Sequence, residues 1–341
     1  MSAALREDAP AKLNLCLFLG PARATDGRHE LVTVFQPLTL ADRVSLEPAP
    51  LGAGADEVDC PGVPGPPAEN LAARALSAFR ARAGWDGPAV RLHVAKRIPV
   101  AAGMAGGSAD AGAALRLAAR AAGVDDDALL GEIAAGLGAD VPAQVRPGRY
   151  LATGAGEALR PLPDPPEYGV LVLPAAVPLA TADVYRQADL MGLGRDPAEL
   201  HERAREVESR GGDLPDELVL NDLEPAARAL CPAIDEALAA MREAGADRAL
   251  VCGSGPTVVG LFRRVDAARG AAVALAGRRP RPLLVAPWRA RVGEAVACSR
   301  CGSSRRWRWP RSSCGGGASS SRRCSRAARS PSRAWRSTAP A

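Results

Sequence analysis

The residues of this sequence that come closest to announcing chemistry form one run, Pro99-Val100-Ala101-Ala102-Gly103-Met104-Ala105-Gly106-Gly107-Ser108-Ala109-Asp110-Ala111. Glycines at 103, 106 and 107 let a backbone approach a polyphosphate, adopt positive φ and turn successive N–H groups inward. The alanine-rich stretch Ala109–Ala122 predicts a helix, whose N-terminus adds partial positive charge, and Ser108 can offer a hydroxyl to phosphate. A strand-like segment, Val90–Val94, precedes the run, so strand, glycine turn and helix follow one another in the layout of an anion site. It is neither a Walker loop nor a dinucleotide fingerprint, because no Gly-Lys-Ser/Thr and no Gly-x-Gly-x-x-Gly is present here. On these residues alone an ordinary turn with Ser108 as helix N-cap stays open.

Two other positions attract attention through composition. Lys12 and Lys96 are the only lysines in a chain that otherwise uses arginine, so each marks a place where the ammonium was kept against a bias. The basic balance itself is misleading. Residues 297–341 hold eleven Arg and no Asp or Glu, and without them 32 basic residues face 38 acidic ones, which leaves residues 1–296 at −6. No run of 18 apolar residues occurs, and Glu7, Asp8, Lys12 and Asp26 interrupt the first thirty residues. A cytoplasmic protein with no membrane partner is therefore expected. Of eight cysteines, Cys16, Cys60, Cys231 and Cys252 are scattered as plain thiols are, and four crowd the tail.

These residues need elements to hold them. Residues 11–19, 31–40 and 90–94 read as strands of one sheet, with turns at Asp26-Gly27 and in the Pro/Gly-rich loop from Pro61 to Pro67. Asn70 can cap a helix through Arg82, and Asp125–Asp127 supply carboxylates to start another. Beyond the prolines at 161–166 come a strand at Tyr168–Leu173 and helices near Ala182–Met191, Pro197–Arg210 and Pro232–Ala244. Strands at Ala249–Val251 and Val258–Phe262, a helix from Asp266 to Ala276 and a strand at Leu283–Ala286 complete the pattern. The fold class is α+β in two domains, 1–161 and 162–288, followed by an Arg/Ser-rich tail, 289–341, too poor in aliphatic residues to build a core and expected to be disordered.

The P-x-x-x-G-x-x-G-G-S-x-D-A pattern resembles the second motif of the GHMP kinases, and two more segments stand in the order that family requires: Pro10-Ala11-Lys12-Leu13-Asn14 and Gly253-Ser254-Gly255-Pro256-Thr257. The resemblance covers roughly residues 8–288. DGRHEL at 26–31, VTVFQ at 32–36, ENLA at 69–72, GADVP at 138–142, TADVY at 181–185 and NDLE at 221–224 narrow it to the branch that acts on a cytidine-diphosphate-linked methylerythritol. The resemblance implies a ribosomal-protein-like N-terminal and a ferredoxin-like C-terminal α+β domain. It further implies ATP-dependent phosphorylation of the 2-hydroxyl of that cytidine diphosphate sugar alcohol, with Mg²⁺ as the metal and no metal ligand identified in the chain.

Single residues take roles by the same likeness. Asp140, which as an isolated turn residue would ordinarily be a cap, matches the catalytic aspartate that accepts the substrate proton, and Lys12 stabilises the charge that develops beside it. Pro99 through Ala109, with Asn70 and Lys96, match positions around ATP, although Asn70 also reads as a helix cap and Lys96 as a strand-end cation. Asn14, two residues past Lys12 on one strand face, reaches the same pocket. His29 resembles the residue that hydrogen-bonds cytosine, and Tyr185 one jaw of a clamp on the base. Arg28 is the departure, since the family has an aromatic there; a guanidinium plane can also stack on a base.

Rival readings concern the other alcohols of the family and the tail. A homoserine or mevalonate-type kinase shares the phosphate motifs. Cys298-x-x-Cys301 with Cys314 and Cys324 has the wrong second spacing for structural zinc and no nearby His. Trp307, Trp309 and Trp335 among arginines would suit nucleic acid in a binding-module reading, while an out-of-frame translation explains the same composition. For the kinase reading no nucleic-acid partner is expected, and the chain is a monomer or homodimer.

Overall fold

The alternation at residues 11–19 and 31–40 belongs to two far longer antiparallel strands, β1 (Leu5–Ala22) and β2 (His29–Pro48). A computed structural model describes residues 4–212 and 214–289; the tail readings above fall outside the described residues. From Ala9 to Gly20 every residue of β1 is buried, so its core span carries apolar side chains on both faces. A short β3 (Glu57–Asp59) follows, then α1 (Leu71–Ala83) and β4 (Val90–Ala95). α1 starts where Asn70 accepts from the Ala72 N–H at 2.9 Å and stops at the left-handed Gly84.

Helix α2 (Gly106–Ala122) begins one turn earlier than the alanine run suggests. After it come α3 (Asp127–Leu137), the five-residue α4 (Val141–Val145) and the hairpin β5 (Tyr150–Thr153) and β6 (Ala158–Pro161). The first sheet has β1 along one edge of β2, while the other edge of β2 is shared by β4 at residues 43–48 and β5 at residues 33–35. β3 extends it beside β4, and β6 beside β5.

The second half contributes β7 (Gly169–Leu173), α5 (Thr181–Leu190), α6 (Pro197–Ser209), α7 (Glu224–Leu230), α8 (Ala233–Glu243), β8 (Arg248–Val251), β9 (Val258–Phe262), α9 (Val265–Ala274) and β10 (Leu283–Val285). Its sheet runs β10-β7-β9-β8, antiparallel throughout. Leu171, Leu173, Leu238, Met241 and Phe262 form its core together with Leu17 and Leu19 of β1. β1 thus belongs to both cores. Its Leu17 N–H and C=O bond the Leu220 carbonyl and the Asp222 N–H, and the Trp288 N–H returns to the Pro37 carbonyl of β2.

Most elements read from the sequence recur within one or two residues. β1, β2 and the start of α2 run further than read, and β3, α4, the β5–β6 hairpin and α7, all too short to show a period, escape the reading.

Candidate active site

One cavity of about 820 Å³, within the range of small-molecule sites, collects residues from the first sheet, the glycine loop, α5 and the loop between β8 and β9. Lys12 reaches it through a fault in β1. The β1–β2 register slips between Pro10 and Lys12, and Lys12 falls opposite Pro37, which has no N–H to give. The Lys12 N–H turns from β2 to the carbonyl of Met104 in the glycine loop, at 3.1 Å. Its ammonium then donates to Asn14 Oδ1 at 2.7 Å, lies 3.4 Å from Asp140 Oδ2 and sits 5.0 Å from the centre of the Phe35 ring. Asn14 in turn donates to Thr33 Oγ1 at 2.8 Å, and Thr33 to the Cys16 carbonyl at 2.5 Å. That chain fixes the Asn14 amide with its oxygen toward Lys12.

Asp140 stands at the N-cap of α4, yet its carboxylate makes no capping bond. It is therefore available to the cavity it lines. α4 can lie close enough because residue 112 of α2 is glycine: a Cβ there would stand 2.3 Å from the Gln144 carbonyl oxygen. Tyr185, half-buried on α5, lines the same wall, and burial followed by the nearby Asp140 charge pushes its phenol up to about 12.

Residues Pro99 to Ser108 all line the cavity; Ala109 is wholly buried within α2 and does not. The glycines divide the work differently from the expectation. Only Gly103 has positive φ, while Gly106 and Gly107 open α2, and Ala101 and Ala105 take left-handed φ of 54° instead. Such alanines store about 1–2 kcal/mol each, a strain that the surrounding packing must hold. Ser108 consequently lies inside the first turn, and Ala105 is the N-cap. Gly103 is also the point of closest approach to the second motif loop, for a Cβ there would be 2.2 Å from the Cys252 carbonyl.

Beneath the loop, Lys96 donates to Asp110 Oδ2 at 2.7 Å and to Asp42. Asp42 has no exposure at all, and its other oxygen accepts the N–H groups of Arg97 and, at 2.8 Å, Ile98. Burial alone pulls the Lys96 ammonium down, and the Asp110 and Asp42 carboxylates reverse this, leaving it raised. For Asp110 burial wins over Lys96, and its carboxyl rises to about 7.

Models of the GHMP kinases N terminal domain and the GHMP kinases C terminal region match residues 70–148 and 200–278. A 4-diphosphocytidyl-2-C-methyl-D-erythritol kinase of Anaeromyxobacter dehalogenans is 45% identical over 276 residues, covering 79% of this chain and 84% of that protein. The enzyme of the same name from Streptomyces coelicolor is 44% identical over 280 residues, covering 78% and 89%. The chain belongs to the 4-diphosphocytidyl-2-C-methyl-D-erythritol kinase family of GHMP kinases. A crystal structure of a 4-(cytidine 5'-diphospho)-2C-methyl-D-erythritol kinase superposes with a TM-score of 0.66 at 37% identity, over 84% of this chain and 100% of that one. Homoserine kinase from Cytophaga hutchinsonii, at 17% identity and a TM-score of 0.59 over 84% and 95%, shares the fold.

Two expected residues stand apart from the cavity. Arg28 is tied by its Nε to Asp26 Oδ2 at 2.8 Å and is half-exposed, so its guanidinium does not line the cavity. His29 bonds Asp189 Oδ1 at 2.7 Å and packs beside Tyr185, ring centres 5.2 Å apart, next to the lining and outside it. Asn70 and Lys96 do line it.

Four residues were not singled out from sequence. Asp42 and Asp110 are acids set in apolar and alanine-rich runs, and a buried charge in such a run demands a partner; that was the available signal. Ser254 and Thr181, hydroxyls 3.0 Å apart on the cavity wall, gave none beyond lying in quoted motifs. Among the described residues no helix is long and apolar enough to cross a membrane, and no group of three His, Cys, Asp or Glu is arranged to hold a metal.

Proposed function

We propose that this kinase moves the γ-phosphoryl group of ATP to the 2-hydroxyl of 4-diphosphocytidyl-2-C-methyl-D-erythritol, giving the 2-phosphate and ADP in the non-mevalonate route to isoprenoid precursors. The observation that carries the reading is the uncapped Asp140 carboxylate, 3.4 Å from the Lys12 ammonium on the wall of the cavity that the glycine loop also lines. Phosphoryl transfer asks little covalent work of a protein and much positioning. Asp140 takes the proton of the attacking hydroxyl, and Lys12 holds negative charge at the oxygen that loses it.

The residues present fit ATP. An added Cβ at Gly107 would meet nothing within 4 Å, so that part of the cradle is open to a ligand, and the N–H groups that begin α2 lie beside it. Pro99–Ser108 hold the phosphates, with Asn70 and Lys96 toward the nucleoside. Mg²⁺ would enter with the nucleotide beside the Pro99–Ser108 loop and would offset phosphate charge there. Asn14, His29 and Tyr185 serve the acceptor, and Arg28 reaches the cytosine by leaving Asp26.

The test is a panel of acceptors with ATP and Mg²⁺: the cytidine diphosphate compound, homoserine and mevalonate. Turnover confined to the first is expected, and preference for either simple alcohol would overturn the substrate assignment.

A further inference from the structure

Three charged side chains meet under the nucleotide cradle, and the chemistry above uses only one of them. Lys96 sits between Asp42 of β2 and Asp110 of α2, and the three are almost entirely shielded from solvent. The cluster is joined to the cradle through the backbone. Asp42 accepts the N–H groups of Arg97 and Ile98, where the chain turns from β4 into the loop. Gly106 lies directly on it: a Cβ there would be 3.2 Å from Lys96 Nζ and 3.1 Å from the Ile98 side chain. One carboxylate oxygen, Asp110 Oδ1, is buried with no hydrogen-bond partner. Two carboxylates against one ammonium leave the cluster one negative charge too many for its surroundings, and a proton on the Asp110 carboxyl relieves it.

We propose that Asp42 and Asp110 are positioning residues for the phosphate donor: together they fix Lys96 and the Arg97–Ile98 turn beneath the glycine loop, and Asp110 sets the charge that this floor presents to the polyphosphate. The division of labour follows from the contacts. Asp42 has three donors and acts as the structural anchor. Asp110 has one donor and a free oxygen, and burial raises its carboxyl to about 7 against the pull of Lys96. The titratable and charged groups around Asp110 are Lys96 after β4, Asp42 on β2 and the Cys60 thiol after β3, itself raised by burial and by the Asp110 charge. With Asp110 protonated the Lys96–Asp42 pair is neutral. Once Asp110 ionises, negative charge is added under a site built for anions.

The sign of the stability change is the opposite of the usual carboxylate case. Between the unfolded value near 3.8 and the folded value of about 7, the native protein holds a proton that the unfolded chain has released. Stability from this group therefore falls as pH rises through that window and is level above it.

The inference rests on the nucleotide occupying this cavity, and its test is kept apart from the test of that reading. Equilibrium binding of Mg-ATP to the full chain is measured by calorimetry from pH 6 to pH 8, for the wild type and D110N. Titration of the nucleotide itself is common to both proteins and cancels in the ratio of their Kd values. One carboxylate charge gained within roughly 8 Å of a phosphate weakens binding on the order of fivefold, so that ratio should climb by about this factor across the range. A ratio that stays constant overturns the role of Asp110. For Asp42, D42A should weaken Mg-ATP binding more than D42N at every pH, because the amide still offers an oxygen to Arg97 or Ile98. Equal binding by D42A and the wild type overturns the anchor. Should D42A fail to fold, thermal scans of ligand-free wild type and D110N decide instead: the wild type loses Tm relative to D110N between pH 6 and 8, and parallel pH profiles refute the cluster. Mg-ATP bound normally by a protein that phosphorylates no acceptor would count against the substrate assignment alone.

Discussion

The substitution Gly112→Ala lies in the middle of a buried helix, touches no residue of the cavity wall, and should cost turnover. The added methyl would stand 2.3 Å from the Gln144 carbonyl oxygen, 2.5 Å from its carbon and 2.8 Å from its Cβ, where ordinary contacts begin near 3.4 Å. α2 and α4 must separate by about 1 Å, and such overpacking typically costs about 1–3 kcal/mol. α2 is buried along most of its length, whereas α4 has five residues. α4 is the element that yields, stretching as it does the 2.6 Å bond from Arg116 Nη1 to the same Gln144 carbonyl. Asp140 immediately precedes α4, so the shift carries the carboxylate away from Lys12. A misplacement of about 1 Å at a reacting group lowers rates on the order of a hundredfold. The assay is steady-state kcat at saturating ATP and acceptor, with Mg-ATP Kd and Tm measured on the same samples. kcat should fall at least about tenfold while nucleotide affinity moves far less. Gly136→Ala is the control: it is an exposed glycine of α3 with nothing within 4 Å of the new methyl, and it should gain about 0.5–1 kcal/mol of stability with kcat unchanged. A G112A enzyme with wild-type kcat and Tm would show that packing at residue 112 does not position Asp140.

Asp140→Asn keeps shape and hydrogen-bonding capacity but cannot take the proton; kcat should drop by a factor of about 10²–10⁴ with Mg-ATP Kd within a few fold, and single-turnover assays that find normal rates would remove Asp140 from the mechanism. Arg28→Tyr gives up an exposed pair with Asp26, which Arg23 also holds, and places a ring where the base is expected to stack. Affinity for the cytidine diphosphate acceptor should tighten about fivefold or more, in keeping with base–aromatic stacking, and an unaltered Kd would mean that position 28 does not face the base.

Motifs with a local cause were legible in the sequence. Asn70 was readable as a cap and is one; Asp126 caps α3 within the triplet expected to start it; β9 spans the residues its apolar run suggested. What escaped has non-local causes. Nothing within residues 99–111 tells that Ala101 and Ala105, and not Gly106 and Gly107, adopt left-handed φ, or that Gly103 and Gly106 lie against Cys252 and against Lys96 and Ile98. Asp42 looks like a strand-face acid until Lys96, 54 positions away, is placed beside it. The His29–Asp189 bond spans 160 positions, and no spacing rule reaches that far.

The three motifs that made this chain readable as a kinase are one contact in space. Lys12 gives its N–H to Met104; the Cys252 sulfur lies 3.8 Å from the Lys12 carbonyl and 3.7 Å from that of Gly103; and a Cβ on Gly253 would be 2.9 Å from the Gly103 carbonyl and 3.3 Å from Asn14 Oδ1. Asn221 closes the group by donating to the Val251 and Gly253 carbonyls, at 2.9 and 2.6 Å. Glycine is required at 103 and 253 because two backbones meet there, and this differs from the permissive role that a phosphate loop alone would assign. The third motif lines the cavity through Gly253 and Ser254 and meets the other two at Gly103 and Asn14. It thereby holds the cradle against the strand that bears Lys12, which under the proposed function would keep a phosphate on one and a hydroxyl beside the other at a fixed separation.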